Sequence, residues 1–164
     1  MTSTKRATRP SDATSRLEEM AAEIFDLTLL GWMTQGDNQP RGYDLSESEF
    51  MALELLSRAE PQSVGELQKG IGVLPAQMSR VIRSLEEKHD KPLITCSINP
   101  ADKRKIDVAR TDEGRKAHQA YRSSKMIGTV DVLAQLDEAD REGFMRVIRR
   151  IRELIAARGP EGGR

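Results

Sequence analysis

The chain's 164 residues suffice for one domain with a real core plus helical extensions, and its 26 basic residues balance 26 acidic ones. A formal net charge of zero gives no support to wholesale coating of a polyanion or a membrane, so any nucleic-acid footprint has to be local. Aromatics at 4% and charged residues at 32% favour long amphipathic helices over a β-sandwich; the single cysteine, Cys96, excludes an internal disulfide, and with no apolar run near the ~18 residues of a membrane span and no signal peptide the chain reads as cytoplasmic.

Residues 1–14 carry Lys5, Arg6 and Arg9 among Ser, Thr and Pro without an apolar period, the composition of a disordered basic arm. Ser15 with Glu18 matches a capping box, and Leu17, Met20, Ile24 and Leu27 recur at helical spacing, which predicts a helix over 16–34. Phe25, Leu29 and Trp32 widen its apolar surface beyond one intrachain contact, so it is expected to pack against another subunit as well.

Ser46 with Glu49 forms a second box, stapled by Leu45 and Phe50, and starts a helix at about 47. Ser63 with Glu66 forms a third, opening a short helix that Gly70 and Gly72 close. Pro75 then sits where a first-turn proline is tolerated, predicting a helix over 75–88. Three helices joined by tight turns within about forty residues is helix-turn-helix spacing. At about 100° per residue, Met78, Val81, Ile82 and Leu85 form the buried stripe of the third. That leaves Ala76, Arg80, Arg83, Ser84 and Glu87 pointing outward, with Gln77 and Ser79 on the flanks.

The period then changes from helical to strand-like: LITCSI (93–98) and KIDVAR (105–110) are β-branched runs joined by the turn-rich NPADKR, a hairpin with a cationic tip. Thr111 before Asp112 and Glu113 restarts a helix with acids at its positive end. A last helix follows Asp137, with Phe144, Val147, Ile148, Ile151, Leu154 and Ile155 at helical spacing. The expected fold is mainly α with a small β part: a winged helix-turn-helix over 45–111, a dimerisation region from 15–36 and 112–157, and a tail over 158–164.

Arg80 and Arg83 lie on one outer face, where an arginine bonds guanine O6 and N7 with two donors or reaches a phosphate; the alternative is a solvated face with Glu87 paired to Arg83. Between 75 and 110 eight Lys or Arg face five Asp or Glu, a local balance of +3 in a neutral chain. At the hairpin tip Arg104 suits the negative potential of a narrow minor groove, and Asp102 is close enough to orient it through a bidentate pair. Ser63, Gln77 and Ser79 are phosphate or base-edge donors by position, although Ser63 also reads as a helix cap. Cys96 alternates with Ile94 and Ile98 and reads as a buried structural thiol. His89, His118 and Cys96 show no metal-ligand spacing, and no catalytic or phosphate-loop signature emerges, so neither a cofactor nor an enzymatic activity is expected.

The segments LSESEFMALELLS, SVGELQKGIGVLPAQMSRVIRSLEEK and DKRKIDVARTDEGRK together resemble the MarR family of winged-helix transcription regulators, over roughly residues 16–156. The most specific part is the wing Asp102-Lys103-Arg104, followed by a strand and the helix start Thr111 to Gly114. The resemblance implies a homodimer built from the terminal helices, a recognition helix in each major groove and a wing arginine in the adjacent minor groove. It also implies, in many members, a small-molecule effector between the two regions, for which Trp32, Met33 and Tyr43 are the candidate lining.

The chain departs from the family pattern at Leu85 to Cys96, where the turn glycine and the strand arginine are missing. It departs again at Leu74, which stands where a hydroxyl or amide cap is usual. The expectation is a sequence-specific regulator, a repressor, that binds a pseudo-palindromic double-stranded operator through Ser63, Ala76, Gln77, Ser79, Arg80, Arg83, Asp102, Lys103, Arg104 and Lys105. The alternative is a winged helix reused as a protein-interaction module.

Overall fold

A computed structural model describes residues 12–34 and 43–157, with side chains described over 14–30 and 43–157. The expected arm up to residue 11, the loop 35–42, the tail from 158, and the side chains of Trp32 and Met33 lie outside the described residues. Two units result: helix α1 (Asp12–Thr34) is one, and the segment from Tyr43 to Ala157 belongs to the other.

Helix α1 begins at Asp12, earlier than the Ser15–Glu18 box predicts, so Asp12 to Thr14 belong to a helix rather than to an arm. No helix breaker stands between Asp12 and Ser15. Within its own unit the helix exposes Leu17, Met20, Ile24, Phe25, Leu27, Leu29 and Leu30.

In the second unit the helices are α2 (Glu47–Arg58), α3 (Val64–Ile71), α4 (Pro75–Glu87), α5 (Asp112–Ala134) and α6 (Glu138–Ala157), with strands β1 (Gln62–Ser63), β2 (Ile94–Ile98) and β3 (Ile106–Arg110). The capping boxes at Ser46 and Ser63 both form, each serine accepting from the amide three residues on while that glutamate reaches back to the serine amide. Gly72 closes α3 at φ 78°, a left-handed cap that glycine adopts without a Cβ penalty. Helix α2 lies at the centre, packed against α3, α4, α5 and β3. Its Leu53 and Leu56 join Leu45, Leu67, Met78, Leu85, Leu93, Ile94 and Val108 as fully buried side chains.

The antiparallel sheet has the order β1-β3-β2. Strand β1 was not legible from periodicity, since two residues carry no alternation; it pairs Gln62 with Val108 and Ser63 with Asp107. In the hairpin Cys96 faces Val108, and Ile98 faces Ile106. Burial fades along the strands: Ile94 is buried, Cys96 half-buried, and Ile98 and Ile106 exposed. Val108 therefore anchors β3, and Ile106 does not.

The departure from the family pattern between Leu85 and Leu93 is absorbed by backbone bonds. Leu93 donates its amide to the Leu85 carbonyl (2.8 Å), and its own carbonyl accepts from the Thr111 amide (3.0 Å). The Thr111 side chain donates to the Pro92 carbonyl (2.7 Å) and caps α5 by accepting from the Gly114 amide (3.0 Å). A Cβ on Gly114 would stand 1.9 Å from the Leu93 carbonyl oxygen, so the start of α5 passes the residue preceding β2 at a distance only glycine permits. Further along α5, buried His118 bonds Glu54 of α2 through Nε2 (2.7 Å) and stacks on Phe50. Beyond Tyr121 the helix emerges from the core, and α6 buries no residue.

Candidate nucleic-acid interface

Helix α4 buries Met78, Val81 and Leu85, and its amphipathic spacing turns Ala76, Gln77, Ser79, Arg80 and Arg83 outward, all exposed. Arg80 and Arg83 have no ion-pair partner among the described residues; the Arg83–Glu87 pair open at i,i+4 does not form. Ser79 donates its hydroxyl back to the Pro75 carbonyl (3.1 Å), leaving its oxygen as an acceptor outward.

Ser84 does not point outward as the helical angle predicts. It is half-buried and donates to Oε1 of Glu49, because the start of α2 lies under this turn of α4. Lys88, just past the helix, donates to the Asp44 carbonyl (2.6 Å) and lies 3.3 Å from the Asp44 carboxylate. The end of α4 is thus tied to the segment preceding α2, a clamp the sequence hinted at only through the capping role of Glu49.

Ser63 is 9% exposed and committed to its cap, accepting from the Glu66 amide (3.3 Å) and donating to Glu66 Oε2 (2.7 Å). It has no donor left for a phosphate. The Ser63 hydroxyl and amide hold the Glu66 carboxyl below its ordinary pKa, against the opposing effect of burial, with Lys105 and Lys69 adding to the lowering.

The wing tip is built on Asn99, whose side-chain oxygen accepts from the amides of Ala101 (2.9 Å) and Asp102 (2.8 Å) while its amide nitrogen donates to Asp107 (2.8 Å). The Asn99 backbone donates to the Lys105 carbonyl (3.0 Å), closing the loop. Asp102 does orient Arg104, but not by the expected bidentate pair. A single oxygen, Oδ1, accepts both the Arg104 amide and Nε, each at 3.2 Å. The two terminal guanidinium nitrogens therefore have no partner among the described residues, and the Arg104 side chain is 92% exposed. Lys103 and Lys105 flank it, exposed.

The local excess of cations is smaller than the count over 75–110 implies. Lys88 is held by Asp44, and Arg110, 13% exposed, by Glu60 at 3.2 Å; both acids lie outside that window. Six exposed cations remain: Arg80 and Arg83 on the helix, Lys103, Arg104 and Lys105 on the wing tip, and Lys91 in the segment between.

Of the proposed ligand lining only the Tyr43 side chain is described. Its phenol donates to Glu113, which raises the Tyr43 pKa and lowers that of Glu113.

The MarR family model matches residues 45–106. The uncharacterized HTH-type transcriptional regulator YdgJ of Bacillus subtilis is 28% identical over 111 residues, covering 68% of this chain and 66% of its own length, just under two thirds. The crystal structure of RV1404 from Mycobacterium tuberculosis superposes with a TM-score of 0.68 at 19% identity, covering 96% of this chain and 99% of that one. The F27L mutant of MepR from S. aureus, bound to an oligodeoxyribonucleotide, gives a TM-score of 0.57 at 18% identity, covering 82% and 97%. At such identities the two structures establish the winged-helix fold. The relative is described as a transcriptional regulator.

Proposed function

We propose that this chain, whose winged-helix segment matches the MarR family model, is a MarR-family homodimeric repressor that binds a pseudo-palindromic DNA operator sequence-specifically. The observation that carries the reading is the pairing of two exposed cationic elements. Helix α4 offers Gln77, Ser79, Arg80 and Arg83 above a buried stripe, and the wing offers an Arg104 steadied through Nε with its terminal nitrogens free. Helix α4 enters the major groove, where Arg80 and Arg83 meet guanine edges or phosphates and Gln77 meets a base edge. Arg104 enters the adjacent minor groove, with Lys103 and Lys105 on the flanking phosphates.

A second copy of the chain covers the apolar helical surfaces. In the second unit these are Met126, Ile127, Val130 and Val132 of α5 and Phe144, Val147, Leu154 and Ile155 of α6, all exposed in the single chain. Helix α1, in the other unit, exposes an apolar face of its own. A two-fold dimer sets half-site centres about one helical turn apart. The protein acts in the cytoplasm, where its DNA is; no described helix is long and apolar enough to cross a membrane.

Selection of bound sites from random duplex DNA tests the reading. Enrichment of an inverted repeat with that spacing is expected. A failure to enrich any sequence, alongside a stable protein partner in a pull-down, selects the protein-interaction alternative.

A further inference from the structure

The leading edge of helix α4 is apolar where it is most exposed. Leu74, 74% exposed, has the greatest exposure among the large hydrophobic residues described, and Pro75 and Ala76 beside it are exposed too. Leu74 holds the N-cap position at φ −71° and ψ 154° with no side-chain cap bond. The caps of α2, α3 and α5 are Ser46, Ser63 and Thr111, each accepting from the amide three residues on. At the fourth cap the domain forgoes that stabilisation and leaves a leucine in solvent.

Leu74 stands at the N-terminal tip of the helix whose following turns expose Gln77, Arg80 and Arg83, so a duplex held by those groups is approached by the tip as well. Leu74, Pro75 and Ala76 offer no side-chain donor or acceptor, and Pro75 lacks a backbone N–H as well. They match none of the hydrogen-bonding edges of a base pair. The major groove carries one apolar feature, the 5-methyl group of thymine. In a helix-turn-helix the N-terminal residues of the recognition helix are those that reach base edges.

Resting on the DNA-binding reading above, we infer that Leu74 is a specificity-determining residue that reads a thymine methyl in each half-site. Arg80, Arg83 and Arg104 hold the duplex, and Leu74 selects which base stands before the helix tip.

Sites selected by the wild-type protein are resynthesised with each thymine in turn replaced by deoxyuridine, which removes the methyl group and nothing else. At one thymine per half-site the wild type loses about fourfold in affinity, the equivalent of one buried methyl, and roughly fifteenfold when both half-sites are changed. Leu74→Ser places a good cap at the helix start, so its fold is not at risk. It is expected to bind duplex while treating thymine and deoxyuridine alike. A wild type that binds its sites but is indifferent to every thymine methyl overturns the inference, as does a Leu74→Ser protein that keeps the discrimination. A wild type that selects no duplex at all overturns the DNA-binding reading itself, and the inference with it.

Discussion

Ser84 on helix α4 donates its hydroxyl to Glu49, a carboxylate 3% exposed on α2. The other oxygen of Glu49 accepts from the Ser46 amide at 2.5 Å and lies 3.9 Å from Lys88 Nζ. One carboxylate therefore serves both the cap of α2 and the placement of α4.

Removing the Ser84 hydroxyl leaves a buried carboxylate oxygen without its donor, a loss of about 1–3 kcal/mol. Ser84→Ala is expected to lower the unfolding free energy from urea titration by that amount, with non-additivity against Glu49→Gln because the two groups share one contact. A Ser84→Ala protein as stable as wild type contradicts the clamp.

Gly114→Ala is the most damaging small substitution expected in the winged helix. The added Cβ meets the Leu93 backbone oxygen at 1.9 Å and its carbonyl carbon at 2.9 Å, neither of which belongs to a flexible side chain. Either α5 moves away from Leu93 or the Thr111–Leu93 bond breaks, at a cost at or above the ~3 kcal/mol upper end of ordinary overpacking. Thermal unfolding measures it, and a midpoint within a degree or two of wild type is the contrary result.

Burial, and then the hydrogen bond and negative charge of Glu86, push the Cys96 thiol from 9.0 up to about 12. The native thiol holds its proton at pH 8, and only the thiolate is nucleophilic. Alkylation of native Cys96 by iodoacetamide at pH 8 is expected to be at least about a hundredfold slower than in urea, since each pKa unit is a factor of ten in thiolate. Because the folded pKa is the higher one, this group's contribution to stability is present below pH 9 and fades as the pH rises above it. Equal alkylation rates in the folded and unfolded chain contradict the assignment.

On α6, Val147 and Leu154 are 52% and 50% exposed in the single chain. A charge at either position is harmless to a monomer and disruptive in an apolar seam. Val147→Glu with Leu154→Glu is expected to give a helical monomer by sedimentation and to make stability independent of protein concentration. An unchanged oligomeric state rules α6 out of the interface.

Much of this architecture was legible locally, because its signals are local. The boxes at Ser46 and Ser63, the proline at the start of α4 and the Thr111 cap each involve residues three or four apart, and each forms as read. The misses are tertiary. Ser84 has an outward helical angle, yet α2 reaches it from a position 35 residues earlier. Ile106 alternates correctly with Val108, but the hairpin has left the core by then. Asp102 and Arg104 were paired correctly from spacing, whereas the use of one oxygen depends on the turn that Asn99 imposes. The exposure of Leu74, like the sharing of Lys88 and Arg110 with Asp44 and Glu60, follows from packing that no sequence window contains.

The most direct measurement is the salt dependence of operator affinity for the wild type and Arg104→Ala. Each wing arginine that displaces a counterion contributes about one unit to the log–log slope, so a dimer lacking both is expected to bind more weakly and to flatten by about two units. Affinity and slope both unchanged across the salt range contradict a wing that enters the DNA.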